Sequence, residues 1–113
     1  MRGSSRALAE PTISAPIFAA LGDETRLGLV SRLSNDGPMS ITRLTAGTAV
    51  SRQAITKHLK VMEGAGLVSG TRRGRECVWR LEQRRIEDAY HYLELISKQW
   101  DDSLDRLRKF VET

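Results

Sequence analysis

Apolar positions recur at helical spacing in five stretches of the chain, and glycine-rich breakers separate most of them. The first is Ile17, Phe18, Ala20 and Leu21, a short helix that Pro16 can begin at its first turn and Gly22 ends. The second is the stripe Leu27, Val30 and Leu33, preceded by Asp23, whose side-chain oxygen suits an N-cap. Asn35-Asp36-Gly37-Pro38 interrupts it. Ser40 caps a third, short helix with Ile41 and Leu44 inward, and Ala46-Gly47-Thr48-Ala49 turns the chain. Ser51 caps a fourth, which places Ile55, Leu59 and Met62 on one face and Arg52, Gln53, Thr56, Lys57 and Lys60 on another. Gly66 follows as the residue that accepts a left-handed backbone.

Beyond it the period changes. Leu67-Val68 and Val78-Trp79 read as two strands, with Gly74 in the turn between them. From about Arg84 to Val111 the helical pattern returns as one long element. Ile86, Tyr90, Leu93, Ser97, Trp100, Leu104, Leu107 and Val111 follow alternating steps of four and three, a heptad seam with one polar member. Such a helix is roughly 40 Å long, more than a small domain can cover with its own core. A helix folded back over its own domain is one reading. The heptad step and the length favour a helix packed on its symmetry mate and on the helix near Phe18. That reading assigns Phe18, Leu21, Ile86, Tyr90, Leu93, Trp100, Leu104 and Leu107 to a dimer interface.

The fold class expected is mainly α with a small β-hairpin: a winged helix-turn-helix with a long C-terminal dimerisation helix. Residues 1–12 read as a flexible tail. Residues 13–113 read as one domain that includes the dimerisation helix at about 84–111.

Charge sharpens this picture. The chain of 113 residues carries a net +4, unevenly spread. Residues 1–39 sum to zero, residues 40–80 to +6 and residues 81–113 to −2. The excess lies on the fourth helix and the hairpin, as phosphate neutralisation requires. Double-stranded DNA is the expected partner. Arg52, Gln53, Thr56 and Lys57 lie near the N-terminal half of the fourth helix, where a recognition helix approaches base edges. Gln can read adenine and Arg guanine through paired hydrogen bonds. Lys60 and Ser51 suit phosphate contacts. Arg72, Arg73 and Arg75 suit phosphates or the minor groove, with Gly74 giving the turn its freedom. Arg80 lies further from the tip and could equally pair with a carboxylate.

Other chemistry is sparse. No run of eighteen apolar residues suggests a membrane span, and the N-terminus lacks a signal-peptide pattern, so a cytoplasmic location is expected. The single cysteine, Cys77, cannot form an intramolecular disulfide. It reads as a small residue on the strand's inner face, with Trp79 expected on the opposite face. A nearby arginine makes an oxidation switch at Cys77 the alternative. His58 reads as packed or phosphate-adjacent. His91, near Glu87, Asp88 and Glu94, lacks the converging ligands of a zinc site. No phosphate-cradling loop, nucleophile elbow or paired metal-binding histidines appear. No catalytic residue, metal or cofactor is therefore expected.

Three segments together resemble the ArsR family of bacterial winged-helix repressors. Phe18 to Leu27, with Ala20-Leu21-Gly22-Asp23-Glu24-Thr25-Arg26, is similar to the family's "ALxDxTR" opening. Ser51 to Val68 resembles its "SQxxxSxHLxxLxxAGLV" recognition segment, and Arg72-Arg73-Gly74-Arg75 its "RxGR" wing tip. The resemblance covers roughly residues 15–110. It implies homodimers formed through the first and last helices, operator binding near a promoter, and in some members release of DNA by a metal or other effector. Arsenic- and cadmium-sensing members carry a Cys-x-Cys pair on the helix before the recognition helix. Here that segment, Ile41-Thr42-Arg43-Leu44-Thr45-Ala46, has neither thiol nor imidazole. The function expected is a sequence-specific, homodimeric repressor that occludes a promoter by binding an inverted-repeat operator. The alternatives are a protein-interaction winged helix and an effector- or redox-responsive sensor using Cys77, with the effector unspecified.

Overall fold

The computed structural model describes residues 11–112. In chain order the elements are α1 (Pro11–Leu21), α2 (Glu24–Asp36), β1 (Met39–Ser40), α3 (Ile41–Thr45), α4 (Arg52–Gly64), β2 (Val68–Arg73), β3 (Glu76–Leu81) and α5 (Gln83–Glu112). The strands form one antiparallel sheet in the order β1-β3-β2. Most of the expected N-terminal tail lies outside the described residues, while Pro11 and Thr12 already belong to α1. Pro16 therefore sits inside a helix instead of opening it. Its ring nitrogen has no hydrogen to give the carbonyl of Thr12, so α1 continues through it with one backbone bond fewer.

Local caps set the helix starts. Asp23 has an extended backbone, and its carboxylate accepts the N–H of Arg26 at 3.0 Å. Ser40 does the same for Arg43 at 3.2 Å, and Ser51 for Ala54 at 3.1 Å. Gly37, at φ 81, ends α2 and donates its N–H to the carbonyl of Leu33.

The face of α2 differs from the expected stripe. Leu29 and Leu33 are buried and Val30 is half-buried, but Leu27 is 52% exposed. Arg26, Leu29, Val30 and Leu33 make the i, i+3, i+4, i+7 face, and Leu27 points away from it. In α4 the expected inner set holds: Ile55, Leu59 and Met62 are all buried. Burial of side chains of this size contributes about 1.5–3 kcal/mol each. With Leu44, Leu67 and Ile17 they form the centre of the core.

The hairpin is longer than its apolar residues indicate. β2 and β3 each run six residues, and pairing continues from Val68↔Leu81 to Arg73↔Glu76. Its outer half is polar, so the apolar pattern marks only its base. A Cβ added at Gly70 would lie 3.0 Å from Cys77 Sγ and 3.1 Å from the Trp79 ring. Cys77 and Trp79 thus share a face, which corrects the opposite-face expectation: residues two apart on a strand lie on one side.

α5 is 30 residues long, about 45 Å at the usual helical rise. Only Asp88 and Ala89 on it are buried, and every residue from Ser97 to Glu112 is exposed. Its first half packs on α1, where the rings of Phe18 and Tyr92 stand 6.0 Å apart. The helix then leaves the domain, giving extents of 67 × 35 × 21 Å. A helix folded back along its whole length over its own domain is not what forms.

Candidate nucleic-acid interface

Arg52, Gln53, Lys57 and Lys60 are exposed on α4, and Thr56 is half-buried between them. Arg52, Gln53, Thr56 and Lys57 line one shallow hollow on the outer face of the helix. Two hydroxyls in this set have local duties. Thr56 Oγ1 donates to the carbonyl of Arg52 at 2.9 Å, one turn back. Ser51 Oγ accepts the capping N–H, which leaves its own hydrogen to donate outward. Lys60 Nζ lies 3.7 Å from Glu63 Oε1, an exposed pair of small energetic weight.

The preceding short helix joins this face, and the apolar pattern gave no sign of it. Thr42 and Arg43 are exposed on α3, and Arg52 Nη1 donates to Thr42 Oγ1 across a long 3.4 Å. Arg32 reaches from α2 to the last carbonyls of α3. Its Nη1 donates to Leu44 O at 2.7 Å and its Nη2 to Arg43 O at 2.9 Å. This satisfies carbonyls that a five-residue helix leaves open. The only signal for Arg43 in the sequence was its place among the basic residues of the 40–80 segment.

Arg72 and Arg73 end β2 and Arg75 follows Gly74, whose φ of 63 turns the hairpin. All three arginines are exposed, and among the described residues none is paired with a carboxylate. Arg80 differs: its Nε lies 3.6 Å from Glu82 Oε2 and 3.4 Å from Ser69 Oγ, at the base of the hairpin. The structure thus separates three free arginines at the tip from one engaged at the base.

α4 is held from behind by polar contacts. Arg26 Nε donates to Ala20 O at 2.6 Å and its Nη1 to His58 Nδ1 at 3.1 Å. Asp23 Oδ2 lies 3.8 Å from the same ring nitrogen. The Arg26 backbone N–H, above all, holds the Asp23 carboxyl below its ordinary range. The Ala20–Arg26 phrase therefore fastens the end of α1, the start of α2 and the middle of α4 together. His58 is packed in this network.

A helix-turn-helix family model matches residues 21–71, the segment from the end of α1 into β2. The uncharacterized HTH-type transcriptional regulator YuzN of Bacillus subtilis is 42% identical over 65 residues, covering 52% of this chain and 71% of its own. The arsenical resistance operon repressor of Escherichia coli K12 is 34% identical over 65 residues, covering 58% of this chain and 56% of its own. Among solved structures, an ArsR-like transcriptional regulator from Rhodococcus sp. RHA1 superposes with a TM-score of 0.80 at 34% identity. That match covers 90% of this chain and 93% of the other. The chain belongs to the ArsR family.

For an ArsR-family regulator, the remaining features of this chain are plain. The α3 segment holds Thr42 and Arg43 on its outer side, and no residue from Ile41 to Ala46 is a cysteine or histidine. His91 Nδ1 lies 3.4 Å from Glu94 Oε1 on the exposed side of α5. Among the described residues no group of three or more His, Cys, Asp or Glu side chains converges as a metal site would require. Cys77 is half-buried beside Trp79. Of the residues expected at a dimer interface, Phe18, Leu21 and Ile86 are half-buried against the domain. Tyr90, Leu93, Trp100, Leu104 and Leu107 are exposed along one side of α5.

Proposed function

We propose that this ArsR-family regulator binds double-stranded DNA sequence-specifically as a homodimer. It represses by occluding a promoter at an inverted-repeat operator. The observation that carries this reading is the pairing of two exposed features. One is the capped α4, with Arg52, Gln53 and Lys57 on its outer side. The other is a hairpin tip with three arginines that no carboxylate engages.

In this reading α4 lies in the major groove, with Arg52 and Gln53 at base edges and Thr56 and Lys57 beside them. Ser51 donates its free hydroxyl hydrogen to a phosphate, and Lys60 and Arg43 contact phosphates on either side. Arg72, Arg73 and Arg75 grip the backbone beside the groove or enter the minor groove. The exposed apolar side of α5 supplies the dimer, and two-fold symmetry of the dimer calls for an inverted repeat. The name of the E. coli relative supports repression as the direction of control. No described helix is long and apolar enough to cross a membrane. Work on chromosomal DNA puts the protein in the cytoplasm.

Titration into a random-sequence duplex at rising salt tests the electrostatic part. Binding that weakens linearly in log–log form, with a slope of several phosphate contacts, is expected. No binding at low salt overturns the DNA reading and favours a protein-interaction module.

A further inference from the structure

α2 carries a glycine that its packing does not require. Gly28 lies inside the helix, where glycine weakens helical structure. A Cβ added there would meet no atom within 4 Å, so no close approach calls for it. Gly28 instead opens a hollow of about 600 Å³ between α2 and the turn that joins α3 to α4. That is the size of a small-molecule site. The buried Leu29 and Ile55 and the half-buried Val50 give the hollow an apolar lining. Thr25, Ser31 and Thr48 add hydroxyls.

Arg32 is the one charged residue on this lining. Its Nη1 and Nη2 donate to Leu44 O and Arg43 O, at 2.7 and 2.9 Å. A guanidinium has further N–H donors beyond these two. Among the described residues no carboxylate pairs with it. A half-buried cation without a counter-charge, beside an apolar hollow, complements an anion that has an apolar body.

We propose that this hollow binds a small organic monocarboxylate. Its carboxylate sits on Arg32 and its apolar body on Leu29, Val50 and Ile55. The site adjoins the elements that carry the basic face. Arg32 holds the last carbonyls of α3, a helix of five residues. Thr48 Oγ1 accepts the Val50 N–H at 2.8 Å, in the turn that leads to the Ser51 cap of α4. An ionised carboxylate is a stronger acceptor than a backbone carbonyl. Occupancy therefore draws Arg32 from α3 and loosens the helix that bears Thr42 and Arg43. The acid then lowers affinity for DNA, and DNA lowers affinity for the acid by the same factor. This consequence rests on the DNA-binding reading above, whereas the site itself does not.

Titration of the isotope-labelled full-length chain with benzoate, and with benzamide as its neutral counterpart, tests the site. Benzoate is expected to shift the amide signals of Gly28, Gly47 and Thr48 and to saturate with a Kd of about 1 mM or below. Benzamide should bind about tenfold more weakly. Gly28→Leu, at a position with room for the Cβ, should fold and abolish the benzoate shifts. Arg32→Gln should weaken benzoate about tenfold and leave benzamide unchanged, a difference that general loss of structure would not produce. No saturable shift at these amides, equal binding of benzamide, or equal loss of both compounds in Arg32→Gln overturns the site. So does undiminished benzoate binding by Gly28→Leu.

Fluorescence anisotropy with a random-sequence duplex at low salt reads the consequence. Saturating benzoate should weaken DNA binding about tenfold relative to chloride at the same ionic strength, and should not do so in Gly28→Leu. Unchanged DNA affinity with benzoate bound overturns the coupling. No DNA binding in the absence of benzoate overturns the DNA reading and leaves the ligand site to the titration.

Discussion

Arg26 on α2 donates from Nη1 to Nδ1 of His58 on α4 across 3.1 Å. A guanidinium can only donate, so Nδ1 is the acceptor in this contact. The same arginine donates to Ala20 O at the end of α1. One side chain therefore bridges the end of α1 and the middle of α4. Arg26→Ala should destabilise the fold by about 1–3 kcal/mol in urea unfolding. A double-mutant cycle with His58→Ala should return a coupling of about 0.5–3 kcal/mol. Full additivity of the two substitutions would show that the contact does not tie α2 to α4.

Asp23 gives this junction an acid dependence. Its folded-state carboxyl is depressed, chiefly by the Arg26 backbone N–H. Its contribution is fully present above the unfolded-state value and is lost as pH falls through the folded one. Stability should therefore decline on acidification below the ordinary carboxylate range, and Asp23→Asn should make that decline shallower. Thermal melts of both proteins from neutral to acidic pH measure the difference. Parallel profiles would remove Asp23 from the explanation.

Gly66 meets two demands at once. Its φ is +80, and an added Cβ would stand 2.9 Å from Arg85 Nε. Gly66→Ala should destabilise the domain by about 1–3 kcal/mol. Gly74 also has positive φ, but no atom lies within 4 Å of an added Cβ. Gly74→Ala should therefore show backbone strain alone and the smaller loss of the two. Equal losses would mean that the Arg85 side chain yields freely.

The two halves of the proposed DNA surface should fail differently. Gln53→Ala should lower affinity for the preferred operator by about 1–3 kcal/mol and hardly change binding to random duplex. Arg73→Ala should weaken both and reduce the salt slope by about one. Fluorescence anisotropy with the two duplexes at several salt concentrations separates the cases. Equal loss on both duplexes for Gln53→Ala would count against base reading.

What could be read from the chain was what is local. Asp23, Ser40 and Ser51 cap the helices that their positions indicated, because a cap depends on residues three apart. The inner set of α4 and the heptad of α5 followed from period alone. What escaped depends on neighbours far along the chain. Leu27 fits an apolar stripe as well as Leu29 does until α1 and α4 choose the buried side of α2. The outer half of the hairpin is polar and showed no strand signal, yet its register holds to Arg73↔Glu76. Arg32 on the carbonyls of α3, and Arg52 on Thr42, join residues ten to twelve apart through contacts that no spacing rule encodes. Of the basic face, the members on α4 and the hairpin tip were legible. Arg43 became part of it only once α3 was seen to lie against α4.

Selection of binding sites from a random duplex DNA pool, with the mass of the protein–DNA complex measured alongside, tests the central claim most directly. Enrichment of an inverted repeat bound by two copies of the chain is the result expected. A dimer that enriches no sequence, or a single copy on an asymmetric site, would contradict a two-fold regulator reading its operator through α4.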